Sequence, residues 1–89
     1  MARFEFSPAE LAEKAASAGR NDALFQLGLI YSAGRDVEVD LIAAHKWFNL
    51  SALRGNAEAR HYRSELARDM TRDEIAAAQR EARAWLSRH

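Results

Sequence analysis

Apolar side chains recur at helical spacing in five segments of this chain, with polar and glycine positions between them. The first segment opens on Ser7, Pro8 and Glu10. The hydroxyl can cap, the proline suits a first helical position, and the carboxylate can reach back to complete a capping box. A helix from Pro8 to about Ala18 follows, ended by Gly19, with Phe6 and Leu11 as a hydrophobic staple. A second helix, Asp22 to Ala33, takes Asn21 as its cap, places Leu24, Leu27, Gly28 and Tyr31 on one face, and stops at Gly34. Beyond the turn GRDVEV, Asp40 caps a third helix to about Arg54. Its buried side is Leu41, Ala44, Trp47 or Phe48, Ser51 and Ala52, and Gly55 ends it. A fourth helix runs from Asn56 to about Asp69. Thr71 and Glu74 form a second capping box for the fifth, Arg72 to about Ser87, striped by Ile75, Ala78, Ala82, Trp85 and Leu86. The predicted fold is all-α, an antiparallel helix-pair stack of about five helices, with a compact five-helix bundle as the alternative.

An offset of 36 places Gly19 on Gly55, Asp22 on Glu58, Ala23 on Ala59, Ala16 on Ala52 and Leu11 on Trp47. A self-similar period of that size marks a stacked helical array. The same segments explain the glycines without a ligand. Gly28 lets a partner helix approach, and Gly34 can turn left-handed at a helix end. A phosphate loop fits neither, because Gly28 lies within a helix and no lysine-serine pair follows Gly34.

The 89 residues make one domain, and 13 basic and 13 acidic side chains cancel. Residues 1–53 carry 5 basic and 7 acidic groups and residues 54–89 carry 8 and 6, too small an asymmetry to name a partner. Without cysteine there is no disulfide, thiolate zinc site or cysteine nucleophile. The opening MARFEFSPAE lacks the apolar core of a signal peptide, and no run is long enough to span a bilayer. The chain therefore reads as soluble and cytoplasmic, with no membrane contact.

The stretch GRNDALFQLGLIYSAGRDVEVDLIAAHKWFNLSALRG resembles a Sel-one-like repeat, a helical unit related to the tetratricopeptide repeat. The likeness rests on Ala23, Leu27, Gly28, Tyr31, Gly34, Val37, Asp40, Ala44, Trp47 and Ala52. It departs at Asp36, where the pattern has the turn's second glycine, and at Ser51, the first of two paired alanines. Residues 19–54 match one complete repeat, and 55–89 resemble a degenerate closing repeat with a capping helix. There Arg63, Ser64 and Ala67 hold the Leu-Gly-Tyr places, and the ending MTRDEIAAAQREARAWL is similar to tails in bacterial members. The resemblance implies an adaptor or scaffold without catalysis or cofactor, presenting a concave helical surface to a protein or peptide.

At about 100° per residue, Asp22, Phe25, Leu29 and Ser32 lie on the side of the second helix away from its buried face. The 36-residue shift adds Glu58, His61, Glu65 and Arg68. These eight are the candidate partner-binding residues, set against the plainer reading that Phe25 and Leu29 are core and the charges merely solvated. By the same shift the first helix matches the second helix of a repeat whose first helix is absent. Leu11, Ala12, Ala15 and Ala16 then form a narrow apolar stripe that the next helices use, that Phe4 and Phe6 fold over, or, where neither covers it, that a second copy covers, making a homo-oligomer.

Other chemistry is weaker. His45 and His61 lie on different helices and His89 at the end, short of the converging ligands that zinc needs; Glu58, His61 and Glu65 form the one cluster at helical spacing. Ser7, Ser17, Ser32, Ser51, Ser64 and Ser87 lack a nucleophile elbow, and no small-molecule substrate site is legible. Arginines of the last two helices alternate with acids, so nucleic-acid binding is disfavoured.

Overall fold

The computed structural model describes residues 6–89, and they form an all-α protein of five helices. These are α1 (Pro8–Ser17), α2 (Asn21–Ala33), α3 (Leu41–Leu53), α4 (Ala57–Ala67) and α5 (Arg72–Arg88). Each helix start has a chemical reason. The Ser7 hydroxyl accepts from the Glu10 N–H at 3.2 Å while the Glu10 carboxylate accepts from the Ser7 N–H at 3.1 Å. Thr71 and Glu74 repeat the exchange at 3.1 and 2.7 Å before α5. Asp40 and Asn56 cap α3 and α4 with side-chain oxygens, each 3.0 Å from the third N–H along.

Two local expectations need correction. Asn21 is the first residue of α2 and not its cap. Arg20 takes the cap position without a side-chain bond, and the Asn21 Oδ1 accepts from the Arg54 guanidinium at 3.1 Å. Phe6 and Leu11 beside the first box are 45% and 53% exposed, and the Lys14 ammonium sits 4.9 Å from the Phe6 ring centroid. Helix α4 stops at Ala67, because Arg68 to Thr71 leave the ladder for a tight turn into the next capping box. Phe4 lies outside the described residues.

The turn between α1 and α2 and the turn between α3 and α4 are the same structure 36 residues apart. Ala18 and Arg54 have φ, ψ of −84°, 5° and −89°, 10°; Arg20 and Asn56 have −83°, 106° and −82°, 107°. Gly19 and Gly55 between them are both left-handed, at φ 93° and 98°. The backbone bonds repeat as well, Arg20 N–H to the Ala15 carbonyl at 3.0 Å and Asn56 N–H to the Ser51 carbonyl at 3.1 Å. The Asn21 to Arg54 bond ties one turn to the other.

Helix α3 packs against α2, α4 and α5, and α1 packs against α2. Gly28 sets the α2 to α3 approach, because a Cβ there would collide with the Phe48 ring. Phe48 is fully buried on that bare stretch of helix, with Ala44 and Ala59 in the same cluster and Phe25, Leu29, Ala52 and Leu66 against it. The larger cluster holds Leu24, Leu27, Ile30, Trp47 and Leu50, joined by Ala82 and Trp85 of α5. Trp47 and Phe48 are therefore both buried, each in its own cluster. Trp85 meets Trp47 edge-on at 5.8 Å, which fastens α5 to α3, and stacks on His89 at the end of its own helix at 4.1 Å. Helices α4 and α5 make almost no contact along their lengths, and each leans on α3. The described chain measures 47 × 25 × 22 Å. No described helix is long and apolar enough to cross a membrane.

In the α2 to α3 turn the Asp40 N–H closes back on the Tyr31 carbonyl at 3.0 Å. Gly34 is left-handed at φ 71°, and Asp36 at φ 58° is the one described non-glycine that is. Asp tolerates this conformation better than most residues, because its short polar side chain can hydrogen-bond locally.

Two substitutions test this packing by urea unfolding. A mid-helix Gly→Ala change normally stabilises by ~1 kcal/mol, but Gly28→Ala drives a methyl into Phe48 and is expected to destabilise by ~1–3 kcal/mol. Ser51→Ala removes a buried hydroxyl without a hydrogen-bond partner and is expected to stabilise by ~1 kcal/mol.

Candidate functional site

Three aromatic rings from three helices meet at the seam of α2 and α4. Phe25 lies 5.7 Å from Phe48 and 5.5 Å from Tyr62, and Phe48 stacks on Tyr62 at 5.3 Å with 20° between planes. Tyr62 is 40% exposed, while Phe25 and Leu29 are half-buried against the same cluster. The seam thus offers apolar surface held rigid from beneath by a buried ring. His61 meets Tyr62 edge-on at 6.1 Å.

The eight sequence candidates separate on this geometry. Phe25 and Leu29 come together, and His61 joins them through Tyr62. Asp22 and Glu58 stand exposed in the first turns of α2 and α4, where a carboxylate also favours the helix N-terminus. Glu65 and Arg68 are exposed and pair with each other at 3.4 Å, a surface contact of little energy. The half-buried Ser32 hydroxyl donates to the Leu29 carbonyl of its own helix at 3.1 Å. Tyr62 is the residue that sequence reasoning missed. Adding 36 to Phe25 lands on His61, one residue short of the ring that meets it.

Behind the seam, α3 meets α4 through polar groups. The Arg63 guanidinium is half-buried and donates to the Asn49 Oδ1 at 2.6 Å. His45 is buried beside it, and its Nδ1 has no hydrogen-bond partner. Burial, and then the Arg63 charge, hold the His45 imidazole below its usual pKa. Ser51 holds the other unpartnered buried oxygen, but it lies six residues along the same helix, about 240° round the axis, so the two face different ways. They do not make a nucleophile and base. Among the described residues no three His, Cys, Asp or Glu side chains converge as a metal site would require, Glu58, His61 and Glu65 included.

No family model, curated protein or solved structure matches this chain.

Buried neutral His45 makes stability depend on pH. The unfolded imidazole protonates near its ordinary 6.5 while the folded one resists, so the unfolded chain binds more protons below that pH. Its contribution is fully present above 6.5 and is lost as pH falls below it. Urea midpoints are expected to drop between pH 7.5 and 5.5, and to drop less in His45→Leu; equal drops would show that His45 is not the group responsible.

Proposed function

We propose that this chain is a cytoplasmic, non-catalytic protein-interaction module of the Sel-one-like kind, which takes a protein or peptide partner on the seam between α2 and α4. The observation that carries the reading is the Phe25, Phe48 and Tyr62 contact, where a partly exposed tyrosine sits on a rigid aromatic base beside half-buried Leu29. Aromatic side chains that are already ordered lose little freedom on binding, and such residues dominate the energetics of protein interfaces. The recurrence of one helix junction after 36 residues, with the Asn21 to Arg54 bond between the two, supports a repeat architecture. Tyr62 across from Phe25 and Trp85 across from Trp47 support side-by-side placement of successive pairs.

Phe25 is a poor probe of this role, since it is wedged between Phe48 and Tyr62 and its removal would loosen the seam. Tyr62 and Leu29 serve better. Peptides selected from a random phage-displayed library on the wild-type protein are expected to bind Tyr62→Ala and Leu29→Ala about tenfold more weakly, with circular dichroism unchanged. Failure to enrich any peptide, or equal binding by both folded variants, would contradict the seam as the docking surface.

A further inference from the structure

His45 is the one ionisable side chain that is buried among the described residues. It is 4% exposed and its Nδ1 has no hydrogen-bond partner, so the imidazolium would hold there a donor with no acceptor in reach. Every helix against α3 was searched for charge that could receive it. From α4 comes the half-buried Arg63 guanidinium, kept at the interface by its bond to Asn49. Helix α5 buries Ala78, Ala82 and Trp85; Glu74 accepts in its capping box, and Asp73, Glu81 and the arginines of that helix are exposed. Helix α2 has the exposed Asp22 and the Tyr31 phenol, which bonds to Glu13. On α3 itself the Lys46 ammonium lies 4.3 Å from the Trp47 ring centroid. No described carboxylate therefore pairs with His45, and the charge that acts on it is the like charge of Arg63.

We infer that protonation of His45 releases α4 from α2 and α3 and so takes the seam apart. Two cations would then share one interface closed to water, and the cheapest relief is to move the element held least. That element is α4, which buries only Ala59, packs along α3 alone and reaches α2 through the Tyr62 and Phe25 rings. Helix α3 serves both apolar clusters and cannot move without dismantling them. Outward movement of α4 carries Arg63 away and lets water reach the imidazolium, and Tyr62 leaves Phe25 and Phe48 with it. The open form protonates near 6.5 while the docked form resists, so docking is complete above that pH. Each unit of pH below it multiplies the open population about tenfold, until the docked imidazole itself titrates. As a movement of α4 this stands without a partner; as a control of peptide docking it rests on the seam reading.

The test follows the intact chain by NMR and amide exchange between pH 7.5 and 5.5. Phe25 to Tyr62 ring contacts are expected to fade, and α4 amide exchange, corrected for its intrinsic pH dependence, to quicken about tenfold per unit below 6.5. Trp47 to Trp85 contacts and the amides of α2 and α3 are expected to hold. The release is expected to track the His45 ring resonances, to vanish in His45→Leu and to persist in His61→Gln, a needed control because His61 rides on α4 beside Tyr62. Titration of His45 with α4 still docked, loosening of all helices together, release in His45→Leu or its loss in His61→Gln would each overturn the inference. If His45→Leu does not fold, the agreement between His45 titration and α4 release in the wild type decides alone. Release at pH 5.5 in a chain that captures no peptide at pH 7.5 would refute the seam reading and leave this one standing. Capture at pH 7.5 that persists at pH 5.5 with α4 docked would do the reverse.

Discussion

The closest constraint in this molecule is a phenyl ring against bare helix backbone. Gly28 has no Cβ, and Phe48 occupies the volume where one would be. With that ring fully buried, α3 lies nearer to α2 than any side chain at position 28 would permit. The same ring carries Phe25 and Tyr62. One contact therefore sets the spacing of the first pair and also supplies the floor on which α4 rests.

From this arrangement α3 becomes the shared element, with three helices against it and two apolar clusters served by adjacent residues, Trp47 and Phe48. The second pair is looser for a chemical reason. Position 63, one period after Leu27, is an arginine that must keep its charge solvated or bonded, and it does so through Asn49. Position 64, one period after Gly28, is an exposed serine that gives no bare backbone for a ring to sit on. Helices α4 and α5 accordingly do not nest on each other as α2 and α3 do.

Much of this was legible before any coordinates. Capping boxes at Ser7 and Thr71, the cap at Asp40 and the glycine stops are local chemistry, and local chemistry is written in short stretches of chain. Asn21 misled because an amide suited to capping is equally suited to accept from a distant arginine. Leu11 misled because the 36-residue period equates it with Trp47, yet α1 lacks the neighbours that bury Trp47. Tyr62 was hidden by a one-residue offset that only the rotation of α4 about its axis decides.

The most direct measurement is a two-dimensional proton NMR spectrum of the intact chain. Packing of Phe48 on Gly28 predicts nuclear Overhauser contacts from the Gly28 α-protons to the Phe48 ring and a ring-current displacement that Gly19 and Gly55 lack, with Phe25 to Tyr62 ring contacts beside them. Gly28 α-protons at ordinary positions, with no contact to Phe48, would contradict the account of the core and of the seam built on it.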